Sequence, residues 1–344
     1  MSNDMTWSDR ADLAQAGLTT VFGAPWPQYL DNWSPGFPGS NDTFNYWWLA
    51  HVIDARLDAF VRTGDTHWLA EAQQVRRNLV ERNGGGLFND YFDDMTWFGL
   101  ALERLGRLGA DPQATTDAIA LWQHCRALGW NPTYGWSLAW RVPQLEYKNT
   151  PANGPFAILG ARLFQATNDH QFLDLARAAF DWITHTLRTP SGFIEDGINR
   201  LGDGRIDTQW RFTYNQGLYI GAGVALAEAT ADQGFLDAVW PTIDASLTEL
   251  TEGGVFRSEG DDGDEGLFKG IYYRYAAAAL HAREHPTLRS FVEGSTNMLW
   301  SAGFTPDSGF LPGNDWRRGP TGPVPYSTYL SALMALEARA GLTP

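Results

Sequence analysis

The chain has 344 residues, 44% of them hydrophobic, enough for one large core or two ordinary ones. Its formal net charge is −15 and it has no clustered run of Lys and Arg, which excludes nucleic acid and an anionic membrane surface as partners, since both demand cationic clusters. Sixteen Trp, twelve Tyr and nineteen Phe form an aromatic excess that suits a neutral, hydroxyl-rich ligand such as a sugar, although any single ring is more often core.

Apolar residues recur at spacings of three and four, predicting about twelve amphipathic helices and almost no alternating strand pattern. The first spans residues 8–22, the second 45–61, and Thr63-Gly64-Asp65 turns the chain into a third at 66–81. The glycine-rich turn Asn83-Gly84-Gly85-Gly86 precedes the fourth at 92–108, and Asp111-Pro112 opens the fifth, with Pro at a first-turn position where a missing N–H costs little. A loop over 130–147 leads to helix six at 149–166 and helix seven at 170–187. The loop 189–211 precedes helices eight (213–229) and nine (235–250), and the loop 251–265 precedes ten (266–282) and eleven (287–301). A last loop, 303–325, leads to helix twelve at 326–340.

Long loops alternate with tight turns, and the long ones share a Gly followed by an apolar or aromatic residue: Gly36-Phe37, Gly86-Leu87, Gly135-Trp136, Gly192-Phe193, Gly254-Val255 and Gly309-Phe310. This recurrence, about 50 to 60 residues apart, is the length of a helical hairpin with its loop. Six such hairpins predict an all-α (α/α)6 toroid, one domain over 1–344, with every long loop on one cleft-forming face where binding groups collect. That face would carry Trp33, Asn41, Asp42, Asp93, Asp94, Trp136, Trp140, Asp196, Asp207, Trp210, Asp262, Asp264 and Trp316.

The stretch Tyr91-Phe92-Asp93-Asp94-Met95-Thr96-Trp97-Phe98 sets two carboxylates side by side among aromatic residues. Either aspartate could simply cap the helix that follows. On the loop face, the pair has the equipment for glycoside hydrolysis, one carboxylate attacking the anomeric carbon while the other protonates the leaving oxygen. Retention needs the two carboxyl groups only about 5 to 5.5 Å apart, inversion roughly 6.5 to 9.5 Å, and adjacent positions favour retention.

Further polar blocks open other helices: Glu146-Tyr147-Lys148-Asn149-Thr150-Pro151-Ala152-Asn153 before six, Thr213-Tyr214-Asn215-Gln216-Gly217 at eight, and Phe268-Lys269-Gly270 near the start of ten. Each offers groups for sugar hydroxyls and equally for helix caps and loop-fixing hydrogen bonds. The acidic loop 259–265 lacks the ligand spacing of an EF-hand, and the seven His are not read as a transition-metal set, so neither a cofactor nor a catalytic metal is expected. Lone Cys125 reads as a small buried hydrophobe. The N-terminal ten residues lack a basic start and apolar run; the expectation is a cytoplasmic protein if the chain is complete and a secreted one if a signal has been removed. No window reaches the roughly twenty apolar residues of a membrane span.

The Tyr-Phe-Asp-Asp-Met-Thr-Trp-Phe-Gly-Leu-Ala-Leu stretch closely resembles the catalytic aspartate motif of glycoside hydrolase family 76, the endo-α-1,6-mannanases. Lys148-Asn149-Thr150-Pro151-Ala152-Asn153, Thr213-Tyr214-Asn215-Gln216-Gly217, and Phe268-Lys269-Gly270-Ile271 with Arg274 also resemble that family's blocks and follow its order, from about residue 84 to 275. Tyr134-Gly135-Trp136-Ser137-Leu138-Ala139-Trp140 matches the family's Gly-Gly-Ile-aromatic loop only loosely, and the absent export signal is a second departure. The resemblance implies an (α/α)6 fold and retaining hydrolysis of α-1,6-linked mannan or mannooligosaccharide, with Asp93 as nucleophile and Asp94 as acid/base; separately, a monomer is expected. Substrate contacts are expected from Asn41, Asp42, Tyr91, Trp97, Trp136, Trp140, Lys148, Asn149, Asn153, Asp196, Tyr214, Asn215, Gln216 and Lys269, on the long-loop face and in these blocks. The alternatives are a transglycosylase using the same pair, a sugar 2-epimerase, disfavoured because no two His fall in matching long loops, and a non-catalytic carbohydrate-binding protein.

Overall fold

The computed structural model describes residues 5–260, 263–305 and 309–343. Among them the helices are α1 (Trp7–Phe22), α2 (Tyr46–Thr63), α3 (Thr66–Arg82), α4 (Phe92–Gly109), α5 (Pro112–Gly129), α6 (Thr150–Thr167), α7 (His170–Thr186), α8 (Thr213–Thr230), α9 (Gly234–Glu249), α10 (Glu265–Ala282), α11 (Pro286–Gly303) and α12 (Tyr326–Gly341). Each matches a predicted helix to within two residues at either end, except that the fifth was predicted only by its start. The strands are short: β1 (Trp33–Ser34), β2 (Trp130–Asn131), β3 (Ser137–Arg141), β4 (Gln144–Asn149), β5 (Gly197–Ile198), β6 (Thr251–Glu252), β7 (Val255–Phe256), β8 (Phe304–Thr305), β9 (Gly309–Phe310) and β10 (Val324–Pro325). Contacts divide the chain into one unit made of residues up to Gly84 and from Leu250 onward, and another from Gly85 to Glu249.

In the first unit α2 pairs with α3, α10 with α12, and α1 packs on α12. Tyr326 through Glu337 of α12 are buried without a break, whereas α3 buries only Ala72, Val75, Asn78 and Leu79, one stripe. A helix apolar on all sides is an interior helix and a one-stripe helix is a cover. The α10–α12 approach is set by Gly270, where an added Cβ would lie 2.7 Å from the Ser331 Cα. Arg274, part of the third family-like block, is spent here on ion pairs with Asp58 (2.7 Å) and Asp54 (3.5 Å).

The second unit repeats this arrangement, with α4 on α5, α6 between α7 and α8, and α8 on α9. Every residue of α8 from Thr213 to Ala227 except Tyr214 is buried, while α7 buries Phe172, Leu173, Ala176, Ala179, Phe180, Trp182 and Ile183 along one face. The loops here depart from expectation. Residues 130–147, read as irregular, supply β2, β3 and most of β4 of an antiparallel sheet in the order β2-β3-β4-β5. Its strands escape a two-residue alternation because consecutive residues are buried, Ser137-Leu138-Ala139 in β3 and Tyr147-Lys148-Asn149 in β4.

Candidate active site

Tyr91, not an aspartate, is the N-cap residue of α4, and its side chain makes no cap hydrogen bond. Asp93 and Asp94 therefore sit inside the first helical turn, half-buried, where the positive end of the helix favours negative charge. The turn before them is locked by Asn89: its Oδ1 accepts from Tyr91 N at 2.8 Å, an Asx-type turn, and its Nδ2 donates to Asp94 Oδ2 at 3.0 Å. Asp93 Oδ1 accepts the Asp94 backbone N–H at 3.0 Å, and Asp93 Oδ2 accepts the Trp140 indole N–H at 2.9 Å. The two carboxylates thus have different supports, one an indole and a main-chain amide, the other a carboxamide.

Trp140 comes from β3, and the hairpin is tied to the α4 approach by a Tyr91–Arg141 bridge and a 2.8 Å bond from Val142 N to Asp90 O. The Trp140 ring stands edge-on to Tyr91 and to Tyr147, each at 5.6 Å between centroids, and the Arg141 guanidinium lies 4.3 Å over it. Arg141 also donates to the Tyr91 hydroxyl at 3.1 Å. Behind Trp140, the Tyr147 hydroxyl sits between Asp196 Oδ2 (2.7 Å) and Asp207 Oδ2 (2.9 Å) and accepts from Arg200, whose Nε donates to Asp207 at 2.9 Å. Asp196 Oδ1 accepts from the Tyr214 hydroxyl (2.8 Å) and Asn215 Nδ2 (3.0 Å). Burial first, then the neighbouring Asp196 charge, pushes both tyrosine hydroxyls well above their ordinary range. Burial likewise raises Asp207, against the opposing pull of Arg200.

Asp93, Asp94, Tyr91 and Trp140 are thus gathered at one place, with Asp196, Tyr214 and Asn215 in the network behind. Other sequence candidates hold the scaffold. Asn153 clamps Leu138 through both of its main-chain atoms (2.8 Å each), and Gln216 does the same to Ile194 (2.9 and 2.7 Å). Asn149 caps α6 through Ala152 N, and Lys148, fully buried, donates to the carbonyls of Asn131 (3.1 Å) and Ser137 (2.6 Å). Burial brings the Lys148 ammonium down to about 7. Trp97 is a core residue, whereas Trp136 is 60% exposed. In the first unit, Asn41 bonds Asn32 N (2.8 Å) and Asp31 (2.7 Å), Asp42 is exposed, and Lys269 is buried against the Asn314 carbonyl and its Oδ1. Cys125 is buried with its Sγ 3.7 Å from Phe92 O. Asp261 and Asp262 of the acidic loop lie outside the described residues. Sequence reasoning does not single out Asn89, Arg141 or Arg200; only Asn89 carried a signal, an Asx residue two positions before a helix cap.

The family model for glycosyl hydrolase family 76 matches residues 7–338. The crystal structure of Lin0763 from Listeria innocua is 43% identical with a TM-score of 0.96, covering 98% of each chain. An inactive variant of the α-1,6-mannanase GH76A of Salegentibacter sp. HEL1_6, with two consecutive aspartates replaced by asparagine and α-1,6-mannotriose bound, is 33% identical with a TM-score of 0.90, covering 97% of this chain and 99% of that one. Among curated proteins, the mannan endo-1,6-α-mannosidase DCW1 of Candida glabrata is 25% identical over 221 residues, 60% of this chain and 45% of that protein, so the match spans about half the relative's length. The fold class is the all-α (α/α)6 one expected from the sequence. The chain belongs to glycosyl hydrolase family 76.

Proposed function

We propose that the protein is a retaining, endo-acting hydrolase of α-1,6-mannosidic linkages in α-mannan or its oligosaccharides, working through Asp93 and Asp94. One observation carries the reading: Asp93-Asp94 stands at a helix start with separate N–H donors on each carboxylate, and a relative covered over 97% of this chain is inactive when two consecutive aspartates are replaced and then holds α-1,6-mannotriose. The match over residues 7–338 supports taking the whole chain as one catalytic domain.

In this reading Asp93 attacks the anomeric carbon while Asp94 gives its proton to the departing glycosidic oxygen. A bond forms between Asp93 and C1 as the C1–O bond breaks, leaving a mannosyl ester and an anionic Asp94. Water then gives a proton to Asp94 and its oxygen to C1, restoring both carboxyl groups and releasing the α-anomer. The Trp140 and Asp94 N–H donors on Asp93 suit a carboxylate that must be charged at the moment of attack. Hydrolysis of linear α-1,6-mannooligosaccharides followed by NMR tests this. First release of the α-anomer is expected; first release of the β-anomer overturns the covalent mechanism, and products longer than the substrate at high concentration would indicate transfer to an acceptor sugar.

A further inference from the structure

The first unit holds a second carboxylate set among aromatic rings, unrelated in sequence to Asp93-Asp94. Asp264, at the N-cap of α10, receives both indole N–H groups of the consecutive Trp47 and Trp48, at 3.1 and 2.8 Å, and both go to the same oxygen, Oδ1. Two donors fill the lone pairs of that oxygen, so the accepting capacity of the group is concentrated on Oδ2. Asp264 as a whole residue is exposed, although its carboxyl is crowded enough that burial raises it.

Trp48 is core, edge-on to Tyr326 at 4.9 Å, and fixes the pair. Trp47 is half-buried and stacks at 29° on Phe268, 6.4 Å between centroids. Gly263, next to Asp264, fits between indoles: an added Cβ there would lie 3.0 Å from Trp48 and 4.0 Å from Trp33. Trp33 in turn lines, with Phe37 and Thr328, a separate cavity of about 410 Å³ whose walls do not include Trp47, Trp48 or Asp264. An amphipathic ring and an oriented carboxylate oxygen are what a pyranose needs: an apolar face to stack and an acceptor for its hydroxyl protons.

We propose that Trp47, Trp48 and Asp264 form a pyranose-binding subsite in the first unit, with the Trp47 ring as platform and Asp264 Oδ2 accepting from sugar hydroxyls. The ligand class rests on the α-1,6-mannan reading: each 1,6-linked mannose keeps its hydroxyls at C2, C3 and C4 free to donate. Neither indole N–H is available to the sugar, because both are used in holding Asp264; the carboxylate is what recognises it.

The test reads the site itself. In protein labelled with 15N-tryptophan and carrying Asp93→Asn with Asp94→Asn to prevent turnover, the indole N–H resonances of Trp47, Trp48 and Trp140 are assigned by single Trp→Phe variants and followed during titration with α-1,6-mannotetraose. Saturable shifts of the Trp47 and Trp48 resonances are expected, weakened at least tenfold by Asp264→Asn. That substitution retains Oδ1 for the two indoles and replaces Oδ2 by a donor, so it changes recognition and leaves the indole bonds in place. Movement of Trp140 alone, or Trp47 and Trp48 shifts untouched by Asp264→Asn, overturns the subsite and leaves the mannan reading standing. Movement of Trp47 and Trp48 without Trp140 supports the subsite and counts against Asp93-Asp94 as the mannan site; movement of none overturns both. Should Asp264→Asn lower the melting temperature, Trp47→Leu, which removes the platform and keeps the carboxylate, decides through the Trp48 resonance in the same titration, a loss of its shift supporting the subsite and an unchanged shift overturning it.

Discussion

Trp140→Phe isolates one bond in the proposed site. It removes the indole N–H that reaches Asp93 Oδ2 at 2.9 Å while keeping an aromatic ring among Tyr91, Tyr147 and Arg141. A hydrogen bond to a charged group contributes about 1.5–3 kcal/mol. At about 1.4 kcal/mol per factor of ten, its loss corresponds to roughly a 10- to 150-fold slower chemical step. Because the bond orients the attacking carboxylate and does not touch the sugar's distal hydroxyls, the loss should fall on kcat, with KM changing by no more than about threefold. The assay is steady-state release of reducing ends from α-1,6-mannotetraose, with circular dichroism melts confirming that the variant folds. A folded Trp140→Phe protein whose kcat stays within about twofold of the parent would refute the argument that this indole holds the nucleophile.

Asp93→Asn and Asp94→Asn should each abolish most turnover on α-1,6-mannooligosaccharides with an unchanged melting temperature; near-normal turnover in either removes that residue from the mechanism. Lys148 is held near 7 by burial against an ordinary value of 10.5, so between those pH values the unfolded chain binds a proton that the folded chain does not. Its contribution to stability therefore rises with pH across that window and is lost as pH falls through 7. The difference in melting temperature between the parent and Lys148→Met, plotted against pH, should climb over this range, and a flat difference would contradict it. Gly270→Ala forces a Cβ to within 2.7 Å of the Ser331 Cα and should cost about 1–3 kcal/mol in urea unfolding. Gly294→Ala on α11, where no atom lies within 4 Å of the added Cβ, should stabilise by about 0.5–1 kcal/mol. Equal effects at the two glycines would contradict the packing account.

The helices were legible because their signals are local. Apolar spacing, Asp and Asn caps at Asp65, Asp111, Asn149 and Asp169, and Pro at the start of α5 each act within a few residues, and a sequence displays them directly. The strand hairpin was not, since β3 and β4 are held by Asn153, Lys148 and the bridge to Tyr91, partners up to 50 residues away. With both strand faces partly buried, the alternation that would have revealed them is absent.

The same division runs through the site. The sequence by itself determined that two carboxylates stand together at a helix start, because adjacency is covalent, and its motifs pointed to the family. Only the tertiary structure decided that Trp140 supports Asp93 while Asn89 supports Asp94, and that Lys148, Asn153 and Gln216 hold loops in place. A polar residue at a helix entrance has the same chemistry whether it meets a sugar hydroxyl or a backbone carbonyl, and which one it meets depends on the chain folded around it.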